Sequence, residues 1–152
     1  MMKSILVIAV FCLSAFALHA DPACDLQRSL AGKDATVRDA SGRIMTSTSK
    51  SGDNTTFRDA SGRIVATASS SSSTSTTFRD ASGRITSTAS NHGDSTTIRD
   101  STGRITSTAS TSGNTTTYRD ASGRIIGTSS QSGSTVTYRD ASGRIVSSAS
   151  VK

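Results

Sequence analysis

Hydrophobic and β-branched residues of this chain fall into short segments that are separated by tight polar turns. Two such segments are residues 114–119, with the sequence NTTTYR, and residues 124–129, with the sequence RIIGTS. Threonine, isoleucine, valine and aromatic residues suit a pleated, half-buried surface, and short runs of them between turn residues are typical of β-strands. The pattern predicts about twelve short strands and an all-β fold.

The strand-and-turn pattern recurs along the chain. The motif RDASGRI begins at Arg38, Arg58, Arg79, Arg119 and Arg139, and the variant RDSTGRI begins at Arg99. Successive copies are 20 residues apart, except for one step of 21 at the serine run 69–73, where we expect the extra residue to lie in a turn. Regular self-similarity indicates a repeat architecture, so residues 35–152 form a predicted six-repeat β domain with two strands per repeat.

Each repeat contains two turns with a shared residue pattern. The first reads Asp-Ala-Ser-Gly, as at residues 39–42, and the second reads Ser-x-x-Gly, as at residues 49–52 and 130–133. Asp or Ser at the first position accepts a backbone hydrogen bond, and glycine at the fourth takes a positive φ. We therefore predict a type I turn closed by a glycine bulge at both places. The predicted residues of the first turn are Asp39, Gly42, Asp59, Gly62, Asp80, Gly83, Asp100, Gly103, Asp120, Gly123, Asp140 and Gly143.

Alignment of the six copies produces columns of equivalent residues. One column is threonine throughout, from Thr36 to Thr137, and two columns are apolar. We predict that the two apolar columns seal a narrow interior, because they are the regularly repeated hydrophobic positions. The predicted core residues are Ile44, Ile64, Ile85, Ile105, Ile125 and Ile145 from one column and Phe57, Phe78, Tyr118 and Tyr138 from the other, which also contains Val37 and Ile98.

Two architectures are compatible with these columns. In a β-solenoid, or a solenoid-like stack of β-hairpins, equivalent residues stack at the inter-strand spacing, and this is the fold we favour. In an antiparallel run of hairpins, Asp39 instead lies opposite Arg43, an opposite-charge pair repeated in every copy. Leu, Ile, Val and Phe make up only 17 of the 132 residues after position 20, so backbone ladders must supply stability that a large core would otherwise provide.

The repeat resembles two known kinds of protein. The segment Asp-Ala-Ser-Gly-Arg-Ile, preceded by Tyr-Arg at Tyr118 and Tyr138, resembles the tyrosine–aspartate (YD) repeat of bacterial Rhs and teneurin-type shells, whose core reads Tyr-Asp-x-x-Gly-Arg-Leu. The layout of a short leader followed by 20-residue strand-turn-strand-turn units resembles that of curlin-type fibre subunits. The second resemblance implies addition of one copy to another, edge to edge.

The amino-terminal residues have the pattern of an export signal. A positive start at Lys3 precedes an apolar run over residues 5–18, and Ala20 precedes a polar stretch. This predicts a secretory signal peptide over residues 1–20, cleaved after Ala20 or, as a second choice, after Ala17. Residues 21–34 are then a non-repetitive leader, and the mature chain is secreted, periplasmic or at the cell surface. No other segment has the length and apolar character of a membrane span.

The predicted mature chain has few residues for catalysis. It contains no Glu, one His (His92) and one Cys (Cys24), so the usual sets of acid, base and nucleophile cannot be assembled. We expect no enzymatic activity, no cofactor and no metal site. Cys24 is interpreted as a free thiol in the leader, with a link between two chains as the alternative.

Charge provides the other functional signal. The chain carries 17 Lys and Arg against 11 Asp, a net charge of +6, and the arginines lie in two columns. Arginine columns can face an anionic surface such as a glycan or a lipid, whereas the few aromatic residues argue against nucleic acid. The candidate anion-facing residues are Arg38, Arg58, Arg79, Arg99, Arg119 and Arg139.

These observations together predict an exported repeat protein with a structural or surface-interaction role. Its expected partner is a second copy of itself, through edge-to-edge assembly, or an anionic surface. Regular threonine rows also resemble the ice-facing surface of β-solenoid antifreeze proteins, so the alternative functions are ice binding and binding to an anionic glycan or lipid.

Overall fold

The computed structural model describes residues 33–152, and the regular structure in this part of the chain is β-strand throughout. The strands are β1 (Ala35–Asp39), β2 (Ile44–Ser51), β3 (Asn54–Asp59), β4 (Ile64–Ser72), β5 (Ser75–Asp80), β6 (Ile85–His92), β7 (Ser95–Asp100), β8 (Ile105–Ser112), β9 (Thr115–Asp120), β10 (Ile125–Ser132), β11 (Thr135–Asp140) and β12 (Ile145–Val151). The prediction of an all-β fold with two strands in each of six repeats is confirmed. The predicted signal peptide, most of the leader and Cys24 lie outside the described residues.

The twelve strands form one closed antiparallel barrel. Each strand pairs with its neighbours in sequence, and β12 pairs with β1, with Ala35 opposite Val151 and Val37 opposite Ala149. The predicted β-solenoid is therefore wrong, whereas the β-hairpins of the same prediction are present and form an antiparallel run. Its closure into a barrel was not predicted. The solenoid fails because Asp-Ala-Ser-Gly makes a hairpin turn, which reverses the chain and pairs each strand with the next one.

The first turn of each repeat has the predicted geometry. In the first copy the Gly42 amide donates to the Asp39 carbonyl at 3.0 Å, and the Asp39 amide donates to the Arg43 carbonyl at 3.0 Å. Gly42 has φ of +86°, which residues with a side chain resist. These are the bonds of a type I turn followed by a glycine bulge, and the same pair of bonds recurs in all six copies.

The second turn differs from the prediction. Ser51 pairs with Asn54, so the loop contains only two residues, Gly52 and Asp53. Gly52 has φ of +58° and no residue other than glycine has a positive φ in the described chain, which is the signature of a type II′ turn. Glycine thus occupies the first loop position here, whereas in the first turn it closes the bulge.

The extra residue of the longer repeat also lies elsewhere than predicted. The register of β4 against β5 shifts between Ser70 and Ser72, so the additional residue forms a bulge at the end of β4. The loop that follows, residues 73–74, keeps the two-residue length of the other copies. A bulge accommodates one residue without altering the hairpin, because the insertion stays on one strand of the pair.

Large and small side chains alternate around the interior. Phe57 on β3 is 1% exposed and lies between Thr48 on β2 and Ala66 on β4. Odd-numbered strands supply the large buried side chains, and even-numbered strands supply the small ones. The large column is Val37, Phe57, Phe78, Ile98, Tyr118 and Tyr138, and the small residues directly opposite are Thr46, Thr48, Ala66, Ala68, Ser87, Ala89, Ser107, Ala109, Gly127, Ser129, Ser147 and Ala149. This alternation fills the interior of a barrel whose chain contains few large hydrophobic residues.

The predicted isoleucine core is wrong. The side chains of this column are 43–47% exposed, and the residues concerned are Ile44, Ile64, Ile85, Ile105, Ile125 and Ile145. Each begins an even-numbered strand at the mouth of the barrel, next to a register shift that breaks the two-residue alternation. In three of the six repeats the residue after the isoleucine packs against the core instead, and these residues are Val65, Ile126 and Val146.

Close packing of a tyrosine makes Gly127 a sensitive position. A Cβ atom at Gly127 would fall on the Tyr138 hydroxyl and lie 2.6 Å from the Arg139 carbonyl oxygen. In a strand without such contacts, replacing glycine by alanine stabilises the fold by a few tenths of a kcal/mol or more. Overpacking costs about 1–3 kcal/mol, so the clash should make the net effect of the substitution on stability unfavourable. We predict that Gly127→Ala lowers the free energy of unfolding by about 1–3 kcal/mol, measured by urea denaturation.

The control uses a pair of residues that the barrel already contains. Ala66 and Phe78 occupy, in another repeat, the positions of Gly127 and Tyr138. Gly127→Ala should therefore cost less in a Tyr138→Phe background than in the original chain. Equal costs in the two backgrounds would show that the tyrosine hydroxyl does not set the requirement for glycine.

Candidate functional site

The six Asp-Arg hairpins all lie at one end of the barrel. Each joins an odd-numbered strand to the following even-numbered strand, and in an up-and-down barrel such connections share one end. We call this end the arginine rim, and it consists of residues 38–44, 58–64, 79–85, 99–105, 119–125 and 139–145. The opposite rim consists of the two-residue loops and of residues 34 and 152, which contact each other where β12 pairs with β1. The repeat thus becomes a ring of six nearly identical hairpins.

Each aspartate of the arginine rim is engaged by its own turn. Asp39 Oδ1 accepts hydrogen bonds from the Ser41 amide at 2.8 Å, the Ser41 hydroxyl at 2.6 Å and the Arg43 amide at 3.0 Å. The Ser41 hydroxyl bond is the largest cause that holds the pKa of Asp39 below its ordinary value. The other copies have the same bonds and the same lowered pKa of the carboxyl group: Asp59, Asp80, Asp100, Asp120 and Asp140. These carboxylates therefore act first as turn-forming groups.

The first arginine of each hairpin is held along its turn. Arg38 Nη1 donates to the Gly42 carbonyl oxygen at 2.9 Å, and this bond recurs at 2.9–3.0 Å in every copy. The guanidinium group carries five N–H donors in a planar fork, so one bond to the turn fixes its position and leaves donors for another group. Arg38 and its five equivalents, the predicted anion-facing residues, are exposed and lie together on this rim. The residue types of this set could be predicted from the sequence, whereas their position in a ring could not.

The second arginine of each hairpin also lies in the ring. Arg43 is exposed and follows the glycine of the turn, as do Arg63, Arg84, Arg104, Arg124 and Arg144. The predicted pairing of Asp39 with Arg43 is present as a backbone contact, in which the Arg43 amide donates to the Asp39 carboxylate and the Asp39 amide donates to the Arg43 carbonyl. The Asp39 carboxylate accepts hydrogen bonds from backbone and hydroxyl donors, and the charge of the Arg43 guanidinium is a smaller cause that lowers the pKa of Asp39.

The net charge of the barrel is concentrated at this rim. Twelve arginines and six aspartates give the arginine rim a net charge of +6. At the opposite rim, Lys33, Lys50 and Lys152 are balanced by Asp34, Asp53 and Asp94, which gives zero. The charges of the described residues are thus distributed as one strongly basic end and one neutral end. The excess positive charge could be counted from the sequence, but its unequal distribution between the two ends was not predicted. This distribution arises because the two kinds of turn alternate along an antiparallel chain and so lie at opposite ends.

The opposite rim is where the barrel closes. The Lys152 amide donates to the Asp34 carbonyl at 2.9 Å, the Lys50 amide donates to Asp34 Oδ1 at 2.6 Å, and the Thr48 hydroxyl donates to the Lys33 carbonyl at 2.7 Å. The last two residues of the predicted leader, 33 and 34, thus belong to the closure of the repeat domain. Their hydrogen bonds lie where β12 pairs with β1, two strands that no turn connects.

The described residues show neither a metal cluster nor a spanning helix. Within 33–152, no group of three or more His, Cys, Asp or Glu side chains is placed to hold a metal ion. In the same residues, no helix has the length and apolar character needed to cross a membrane.

The fold and the rim define a twelve-stranded antiparallel barrel with a basic end, and comparison with known proteins adds a likeness of fold. No protein-family model matches the chain, and no curated protein matches it. The barrel is similar to the X-ray structure of a protein from Arabidopsis thaliana, with a TM-score of 0.53 and 11% sequence identity, over 86% of this chain and 85% of that one. At this identity the likeness concerns the fold alone.

The rim aspartates make stability depend on pH in a defined direction. Because their pKa values are lowered in the folded chain, their contribution to stability is present above the ordinary value of 3.8 and is lost as the pH falls through the lower folded values. We predict that Asp59→Asn/Asp100→Asn flattens the fall in the urea midpoint as the pH is lowered below the ordinary value of 3.8, followed by circular dichroism.

The matched control is Asp53→Asn/Asp94→Asn, which removes the same charge from loops of the opposite rim. This variant should keep the acid dependence of the original chain more closely than the rim variant does. Acid profiles that change equally in the two variants would contradict a specific role of the hairpin aspartates.

Proposed function

We propose that this protein binds an anionic surface through its arginine rim. The single observation that carries the proposal is the charge distribution: the rim has a net charge of +6 and the opposite rim has none. A ring of like charges at one end of a small barrel focuses the electrostatic potential there and steers that end toward a negative surface. From the sequence, binding to an anionic glycan or lipid was an alternative to the structural or surface-interaction role.

The state of the rim arginines supports the proposal. The guanidinium groups of Arg38 and its equivalents are fixed by a bond to their own turn, so less side-chain freedom is lost when they bind an anion. The aspartates beside them accept hydrogen bonds from the backbone and hydroxyl donors of their own turns, as Asp39 Oδ1 does. A planar guanidinium fork suits sulfate, phosphate and carboxylate oxygens, which are the charged groups of glycans and lipid surfaces.

The two other expected functions receive less support from the geometry. Edge-to-edge assembly of the curlin type needs unpaired strand edges, and each strand from β1 to β12 is paired on both sides. Ice binding needs a flat face of threonines, and the column from Thr36 to Thr137 is half-buried and wound around a closed barrel. Neither function is favoured by a specific feature of the rim.

The test compares two charge deletions of equal size at opposite ends. Arg84→Gln/Arg124→Gln removes two charges from the arginine rim, and Lys50→Gln/Lys152→Gln removes two from the opposite rim. An arginine near an anionic surface contributes about 1 kcal/mol, so the arginine variant should bind heparin roughly tenfold to thirtyfold more weakly at low ionic strength. The lysine variant should bind nearly as the original chain does, and the original chain should dissociate as salt is raised.

Two results would count against the proposal. If the two variants lose the same affinity, binding reflects total charge and the rim has no special role. If the original chain binds neither heparin nor anionic vesicles at about 0.05 M salt, where screening is weak, the anionic-surface function is wrong.

A further inference from the structure

The isoleucines that the interior leaves out form a ring of their own on the arginine rim. Among the described residues, the exposed large hydrophobic side chains are the six isoleucines of the predicted core column, at 43–47% exposure. All six lie at the same end of the barrel as the arginines. Single exposed hydrophobic residues are ordinary, but a repeated set confined to one end of a molecule marks an interaction site.

Each of these isoleucines is placed next to a fixed arginine. Ile44 is the cross-strand partner of Arg38, Ile64 is the partner of Arg58, and the same pairing recurs in the four other hairpins. Because the arginine is bonded to the carbonyl of its own turn, it stays beside the isoleucine. The rim therefore presents exposed isoleucine and arginine side chains next to each other.

From these observations we propose that the surface bound by the arginine rim is an anionic lipid bilayer, and that the rim isoleucines insert into its headgroup region. The inference rests on the proposed function and narrows it to one class of partner. Lipid surfaces offer both phosphate oxygens for the arginines and an apolar layer for the isoleucines. A sulfated glycan offers only the charges and would leave the isoleucine ring in water.

The barrel geometry sets how the chain meets the bilayer. The opposite rim is neutral and bears polar two-residue loops, so only the arginine end is attracted to the surface. Six hairpins at one end engage the bilayer together, and contacts that are weak one at a time add within a single molecule. The barrel therefore binds the bilayer from the aqueous side, with the arginine rim facing the lipid headgroups.

The experiment measures vesicle binding and polyanion binding on the same variants. Ile64→Ser/Ile105→Ser/Ile145→Ser removes alternate isoleucines and keeps every arginine. Binding to vesicles of phosphatidylcholine with about a third phosphatidylglycerol should fall about tenfold or more, because three apolar insertions are lost. Binding to heparin should be unchanged, which also shows that the variant is folded and its charge ring is intact.

A tryptophan probe locates the contact without relying on loss of binding. The chain contains no tryptophan, so a single one gives an unmixed fluorescence signal. Ile105→Trp on the arginine rim should show a blue-shifted emission when anionic vesicles are added. Ser134→Trp, in an exposed loop of the opposite rim, should show no shift.

The outcomes separate this inference from the function on which it rests. If the chain binds heparin but not vesicles, or if the triple serine variant binds vesicles as the original does, the bilayer inference is wrong and the anionic-surface function stands. A blue shift at position 134 instead of 105 would also overturn it. If the chain binds neither probe, the proposed function itself fails.

Discussion

The backbone pairing of β1 with β12 is the constraint on which the rest of the structure depends. This contact joins the two ends of the repeat domain and leaves none of the described strands, β1 to β12, with an open edge. It also completes part of the interior, since Val37 on β1 lies between Thr46 on β2 and Ala149 on β12. Without closure, the cluster that contains Val37, Tyr138 and Ala149 would open to water. A chain with so few large hydrophobic residues needs every backbone group of its strands to be paired.

Closure also explains the choice of side chains in the core. Interior space in a barrel is shared between neighbouring strands, so a large residue on one strand requires small ones on either side. Tyr118, for example, lies between Ala109 and Gly127, and its hydroxyl contacts the Ser129 hydroxyl at 3.0 Å. The small Ser, Thr and Ala side chains opposite the large residues are thus part of the packing.

The elements with local causes could be predicted from the sequence. Asp39 and Gly42 have side-chain and backbone requirements that act within five residues, and the prediction of the first turn of each repeat and of the number of strands was correct. The exposure of the Ile44 side chain could not be predicted. A register shift between the paired strands β1 and β2 breaks the alternation of inward and outward side chains, and the sequence of a single repeat does not reveal this shift. Barrel closure was missed for a similar reason: it depends on a contact between Ala35 and Val151, at opposite ends of the domain.

The candidate site shows the same division. The arginine columns were identified from the residues alone. The neutral opposite rim could not be identified in this way, because the sequence does not show that successive turns lie at opposite ends of the barrel. Once the strands are antiparallel, one turn sequence populates one end and the other turn sequence populates the other. A simple repeat can in this way produce a barrel with two chemically different ends, and the isoleucine–arginine ring is a consequence of that arrangement.

The most direct test of the closed barrel is a disulfide across the seam between β1 and β12. Thr36 and Ser150 are cross-strand partners, and paired strand residues lie within the distance that a disulfide spans. In a Cys12→Ser/Cys24→Ser background, Thr36→Cys/Ser150→Cys should oxidise within one chain, and trypsin should release residues 34–38 linked to residues 145–152. The control pair is Ser110→Cys/Thr117→Cys, which has the same register inside one hairpin. A control that oxidises while the seam pair stays reduced, or links only separate chains, would contradict closure.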